Sequence, residues 1–348
     1  MSADALVRMV LFAEMLALGV GVAVLLVHAA WWWWYDRWST GRLDGVRVAL
    51  RESLAERDRT PGFARDFMRL PMRLQIYLLA ELAPHLSGVE QQALRRLARR
   101  AGLLAKAERL CRSAFWSRRL FGAKLCTLVG HTTPAMTALL TDRHPAVRAQ
   151  AVEWAVHHPD PAVIDALLRM LGDRDGRCRF AAQDTLVRIG HAAIAPLIDY
   201  LGQADHAGLL GALEVALTMA DARLIEPTTA LVDAPAPDVR ARAVSLLGAL
   251  GSERGLERIT RALGDPDPAV RIAALRALAG LTHWPVAPTV ARLLHDAAWD
   301  VRRQAALTLR AFGAPGLIFL RRLRDSSDPV AAAVARYALD LAAAGVST

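Results

Sequence analysis

Several kinds of chemistry are missing from this 348-residue chain before anything else is read from it. It has three cysteines, Cys111, Cys126 and Cys178, widely spaced and with no C-x-x-C pair. That spacing gives neither a disulfide framework nor a zinc knuckle, and it suits small buried side chains in a reducing compartment. No G-x-x-x-x-G-K-[ST], no strand-linked G-x-G-x-x-G and no G-x-S-x-G occurs, so phosphate cradles and a nucleophile elbow are not indicated. None of the ten histidines is followed by glutamate, which removes H-E-x-x-H. His157 and His158 are adjacent at a helix end before Pro159, where they cannot face one ligand together. Aromatics make up 6% of the chain and are unevenly placed.

What is present begins with apolar residues. Met9–Ala30 is a 22-residue apolar run, followed by Trp31, Trp32, Trp33, Trp34 and Tyr35. A helix of that length covers about 33 Å, enough for a bilayer core, and Trp and Tyr collect at its interface. The expectation is a transmembrane helix with an aromatic belt over residues 9–35, behind a short external N-terminus, 1–8. Arg8 is the one basic residue before the run, whereas Arg37, Arg42, Arg47, Arg51, Arg57 and Arg59 follow it. Positive-inside bias then places the C-terminal part in the cytoplasm, on the inner membrane. A cleaved signal peptide ending near Val27-His28-Ala29 is the competing reading; its basic residues are on the wrong side. Inside the run, Ala13, Ala17 and Gly21 form a small-residue face, and Glu14 and His28 are intramembrane polar candidates for contact with a partner helix or for snorkelling.

Net charge is +9, and it is not spread evenly. Residues 37–125 hold 19 Lys and Arg against 8 Asp and Glu, while residues 126–348 hold 23 of each. The excess is therefore next to the apolar run, where each basic side chain is worth about 1 kcal/mol against an anionic leaflet. Residues 36–60, with RLDGVRVALRESLAERDR, read as a basic amphipathic helix on a membrane surface. Anionic lipid headgroups are candidate partners there and at Arg95, Arg96, Arg99 and Arg100. Nucleic acid is not expected as a partner of the neutral remainder. Residues 61–131 read as a helical linker and cap.

From about residue 132 the chain repeats. The clearest unit is DPDPAVRIAALRALAG from Asp265, with related copies from Asp142, Asp173, Asp233 and Asp296. Their arginines, Arg148, Arg179, Arg240, Arg271 and Arg302, are spaced 31, 61, 31 and 31 apart. Leu210 falls where the missing arginine would stand, and a last copy from Asp325 puts Ala331 there. Such a period indicates stacked helical pairs. At 100° per residue one face of each V-R helix is an apolar stripe: Val147, Ala151, Ala155, His158; Cys178, Ala182, Leu186, Ile189; Val239, Ala243, Leu247, Leu250; Val270, Ala274, Leu278, Leu281; Val301, Ala305, Leu309, Phe312. Trp284 and Trp299 fall in inter-helix turns, as wedges between copies.

These D-x-x-x-x-V-R-x-x-A-x-x-A-L units resemble the HEAT-repeat family, in particular the short bacterial repeats first named for phycobilin lyases. The resemblance covers residues 132–348 and implies an all-α protein, a right-handed α-solenoid of about seven helical pairs. It implies that the V-R helix lines the concave side. It also implies an inter-repeat hydrogen-bonded ladder, carried here to Asp142/Arg148, Asp173/Arg179, Asp265/Arg271 and Asp296/Arg302. Asp233 stands seven rather than six residues before Arg240 and leaves that pairing open. The His-Glu pairs of HEAT-repeat di-iron hydroxylases are missing, and so is the basic channel of HEAT-like DNA glycosylases.

The other face of the V-R helices is unusually apolar, with Val152, Val156, Phe180, Val187, Val244, Ile272, Leu275 and Leu307. An exposed apolar face marks a partner surface, so these residues are the candidate groove for a segment of another protein. Packing between neighbouring helices is the alternative. The combined expectation is a membrane-anchored scaffold or adaptor with protein partners, no cofactor, no metal and no catalytic residues. A nucleic-acid-binding or DNA-repair enzyme and a pigment- or cofactor-handling lyase are the alternatives.

Overall fold

The structure is a computed structural model that describes Met15, residues 18–30, Gly45, Val48, Phe67 and residues 69–82, 88–100, 102–251 and 253–343. Among the described residues every regular element is helical. The chain divides into two compact units, residues 1–131 and 132–348.

In the first unit, residues 18–30 are helical and exposed, with His28 on that helix. Glu14, Ala13, Ala17, Trp31, Trp32, Trp33, Trp34, Tyr35 and all of 36–60 except Gly45 and Val48 lie outside the described residues. Among the described residues no helix is long and apolar enough to cross a membrane. Four further helices follow: α1 (Met72–Leu82), α2 (Gly88–Arg100), α3 (Leu103–Cys111) and α4 (Trp116–Val129). Buried Gln75 fastens the chain entering α1 by donating to the carbonyls of Phe67 (2.9 Å) and Leu70 (3.0 Å). Arg95, one of the basic cluster proposed for headgroups, donates through Nε to the Val129 carbonyl at 3.2 Å. A cation at the last turn of α4 satisfies an open carbonyl and complements the helix dipole. Gly122 lets α3 and α4 close together: a Cβ there would stand 2.8 Å from the Ala107 carbonyl oxygen. Buried Cys111 and Cys126 meet across that contact, and the hydrogen bond between them, reinforced by burial, pushes the Cys126 thiol up.

The second unit is seven helical pairs, each an outer helix followed by an inner one. The pairs are α5 (Pro134–Leu139) with α6 (Pro145–Ala155), α7 (Pro161–Arg169) with α8 (Gly176–Ile189), and α9 (Ile194–Leu201) with α10 (His206–Met219). They continue as α11 (Ile225–Leu231) with α12 (Pro237–Leu250), α13 (Glu253–Arg261) with α14 (Pro268–Gly280), α15 (Ala287–Arg292) with α16 (Trp299–Ala311), and α17 (Ala314–Arg324) with α18 (Pro329–Ala343). Helix starts follow from local chemistry. Proline stands in the first turn of α5, α6, α7, α12 and α14, where no amide partner is lost. Asp175, Asp205 and Asp267 cap α8, α10 and α14 with side-chain oxygens. Fifteen of the twenty wheel-face residues are buried to 1% exposure or less and stack from one inner helix to the next. Phe312 is buried at 5%, and His158, Ile189, Leu250 and Leu281, at the C-terminal ends, are half-buried. The result is a stack of helical pairs, an α-solenoid.

Every inner helix begins three residues before its arginine position. That rule, with the capping Asp205 and the burial of Gly208, puts Leu209 rather than Leu210 in the arginine position of α10. The third copy is one residue shorter than its neighbours. By the same rule Ala332, not Ala331, holds the position in α18. The shortened copy compensates with close contact: a Cβ on Gly211 would lie 2.9 Å from the Leu171 carbonyl oxygen.

Candidate functional site

The row of inner helices carries two sets of non-core side chains, a buried ladder at its N-terminal ends and an exposed stripe along its length. The ladder is built from the repeated Asp and Arg, but not in same-copy pairs. Within a copy, the arginine donates to the backbone: Arg148 Nη1 to the Asp142 carbonyl (2.8 Å), Arg179 to Asp173 (2.6 Å) and Arg271 to Asp265 (2.7 Å). The side-chain pairing runs to the next copy, 25 residues on. Arg148 meets Asp173 at 2.7 Å, Arg240 meets Asp265 through two bonds of 2.8 Å, and Arg271 meets Asp296 at 2.8 Å. The ladder is thus inter-repeat, as the resemblance implies. The same-copy residues Asp142/Arg148, Asp173/Arg179 and Asp265/Arg271 meet only through the aspartate carbonyl, and Arg302 of Asp296/Arg302 has the Ala297 carbonyl, because a guanidinium already holding its own turn points its other edge at the neighbouring turn.

Each receiving carboxylate also accepts an amide two residues on: Asp175 for Asp173, Asp267 for Asp265 and Ala298 for Asp296, all at 2.8 Å. The aspartate thus shapes the turn into an inner helix while fixing the previous copy. Burial would raise the Asp265 pKa, yet the hydrogen bond and charge of Arg240 outweigh it and hold the carboxyl below its ordinary value. Arg240 is correspondingly pushed up by its bond to Asp265. Asp233 takes no part, since its carboxylate meets Arg258 instead.

The ladder has gaps. The acid position ahead of α10 is Gln203, ahead of α12 it is Ala234, and ahead of α18 it is Ser326. Ser326 keeps the turn by accepting the Asp328 amide at 3.2 Å but offers no carboxylate. Arg302 accordingly finds no acid, and its Nη2 has the Ala297 carbonyl at 3.4 Å.

The candidate groove residues divide sharply. Val152, Val244 and Leu275 are fully buried between neighbouring inner helices and are not groove residues. The residue four places after the arginine, Val152, Val244, Leu275 or Ala306, is buried against the next helix of the stack, which is why alanine, valine and leucine are favoured there. Val156, Val187, Ile272 and Leu307 are half-buried, and Phe180 is 71% exposed. Phe180 and Val187 on α8 line a recess of about 330 Å³ shared with Val215, Glu214 and Thr218 of α10 and Asp184 of α8. Sequence reading placed Glu153 and Asp184 on this face among its few charges, and passed over Leu217, which is exposed on α10, and the carboxylate Glu214. The one-residue slip in the third copy hid the last from the alignment.

No other chemistry gathers on this surface. His158 stacks on Trp154 at 4.5 Å and shares a hydrogen bond with Thr132 at 3.1 Å. Among the described residues no group of three His, Cys, Asp or Glu side chains could hold a metal ion. Trp284 and Trp299 are half-exposed; Trp299 is the first residue of α16, and Trp284 opens the turn before α15.

Known proteins agree with this architecture. The family model for HEAT repeats matches residues 133–218 and 225–283. A protein of Pseudanabaena tenuis described as an uncharacterized phycocyanin operon protein is 30% identical over 135 residues, 39% of this chain. The chain spans 56% of that relative's length. Among solved structures, the karyopherin Kap121p is similar with a TM-score of 0.59 and 14% identity, over 86% of this chain and 41% of Kap121p. Kap121p bound to Pho4p matches with the same score and identity, over 82% of this chain and 38% of that one. At this identity the likeness is one of fold.

Proposed function

We propose that this chain is a membrane-tethered scaffold that presents its inner-helix row to another protein. The observation that carries the reading is Phe180, 71% exposed on α8, and the recess it lines with half-buried Val187 on the inner-helix row. The tether is read from Met9–Ala30 and the tryptophans that follow, with the N-terminus outside and the repeats in the cytoplasm. The +11 segment, residues 37–125, then lies against an anionic leaflet. The tether is tested by membrane fractionation with carbonate washing. The full chain should stay with the membrane and a chain lacking residues 1–35 should leave it; a full chain released by carbonate would reject the tether.

A second reading, handling of a pigment or other cofactor, is favoured by the relative from a phycocyanin operon. Visible absorbance in the chain purified after co-expression with a bilin supply would support it, and a colourless product would reject it.

A further inference from the structure

The exposed stripe on the inner helices is electrically polarised, although residues 126–348 are neutral overall. In each copy the residue five places after the arginine position lies on the outward face, exposed or half-buried. In order these residues are Glu153, Asp184, Glu214, Ser245, Arg276, Leu307 and Tyr337, and Leu307 is flanked on the same face by Arg303 and Arg310. Three acids are succeeded by a neutral residue and then by a basic end. The side chains of Asp184 and Glu214 are about half exposed, at 54% and 48%. Local partners damp this field at both ends: Arg242 meets Glu214 at 2.8 Å, Arg188 stands 3.7 Å from Asp184, and Asp300 stands 4.0 Å from Arg303, whereas Glu153 accepts from the uncharged Gln150 at 2.7 Å. The apolar floor belongs to the acidic end, where Phe180, Val187 and Val215 line the recess between those two carboxylates.

We infer that the occupant of this surface is a polarised segment of another protein, rich in Lys or Arg and large apolar residues at one end and acidic at the other. Its basic end lies over α6, α8 and α10, an apolar side chain fills the recess beside Phe180, and its acidic end reaches Arg276 and Arg303. This inference rests on the scaffold reading and adds the chemistry and direction of the partner. Charge alone would give weak, salt-screened attraction; the recess supplies the anchor and the carboxylates supply orientation. Inner helices are about 9 Å apart, so Glu153 to Arg276 spans about 36 Å, or about 11 extended residues.

The test is selection of random 12-residue peptides displayed on phage against the immobilised full-length chain in detergent. Enriched peptides should combine Lys or Arg with large apolar residues in one half and Asp or Glu in the other. Asp184→Lys with Glu214→Lys should weaken the best peptide at least tenfold, and a peptide of reversed charge should recover it. Thermal unfolding checks that these exposed substitutions leave the fold intact. Peptides whose binding is lost in Phe180→Ser but shows no charge preference would overturn the inference while leaving the scaffold reading standing. Failure to enrich any Phe180-dependent peptide would overturn it too, the scaffold reading then being judged by crosslinking in membranes. A dimer in sedimentation that the double reversal disrupts would assign the surface to a second copy and reject the inference.

Discussion

Arg240 on α12 reaches Asp265, the residue that shapes the turn into α14, through two hydrogen bonds of 2.8 Å. Both side chains are largely covered, at 14% and 12% exposure. The same arginine holds the Ala234 and Pro235 carbonyls at 3.0 Å, so one guanidinium fastens its own turn and the next. A planar fork with five donors can do this and a lysine cannot.

Removing either partner should therefore cost more than a surface ion pair. Asp265→Asn and Arg240→Met should each destabilise the chain by about 2–3 kcal/mol. The double variant should lose less than the sum, with a coupling energy above about 1 kcal/mol in chemical denaturation. Additive losses would show that the two side chains act independently.

The ladder also sets an acid limit. Because the Asp265 carboxyl titrates lower in the fold than in the unfolded chain, its contribution is fully present above the ordinary carboxylate value of about 3.9. It is lost as pH falls through that value toward the lowered one. Denaturation midpoints measured from pH 6 to pH 2 should decline below about pH 4, and the decline should be shallower in Asp265→Asn.

Where a rung is missing, one substitution should install it. Gln203→Asp places a carboxylate at the acid position facing Arg179, and Ser326→Asp does the same for Arg302. Each should raise stability by about 1 kcal/mol, and Arg179→Met should abolish the first gain. A gain that survives Arg179→Met would belong to the turn alone.

Exposure separates surface from core at neighbouring candidate positions. Phe180→Ser should change stability by less than about 0.5 kcal/mol, since the ring is 71% exposed. Leu275→Ser should cost about 3–4 kcal/mol, because Leu275 is wholly enclosed between α14 and its neighbours. Equal effects by thermal unfolding would contradict this division.

Much of the fold was legible because its chemistry is periodic. The V-R spacing located five inner helices, and a wheel at 100° picked twenty core residues of which sixteen are buried. The four exceptions, His158, Ile189, Leu250 and Leu281, lie at helix C-termini where the stack covers them less. Three things were not legible, each for a physical reason. The spacing named the Asp and Arg of an inter-repeat ladder but not which carboxylate each guanidinium meets, since a guanidinium spans two turns and its charge partner lies in the next copy. The wheel could not distinguish the side of a helix facing solvent from the side facing the next inner helix, so Val152, Val244 and Leu275 were grouped with Phe180. The third copy slipped by one residue because Gly208 and Leu209 replace the V-R pair, and only the helix start and burial reveal it.

The scaffold reading is tested most directly by photo-crosslinking in membranes, with a photoreactive amino acid placed singly at Phe180, Ser245 or, as an outer-helix control, Ile318. Ile318 is 49% exposed on α17 and so samples solvent on the other side of the stack. The account predicts a protein adduct from Phe180, a weaker one from Ser245 and none from Ile318. Adducts from Ile318 alone, or none from either inner-helix position, would contradict it.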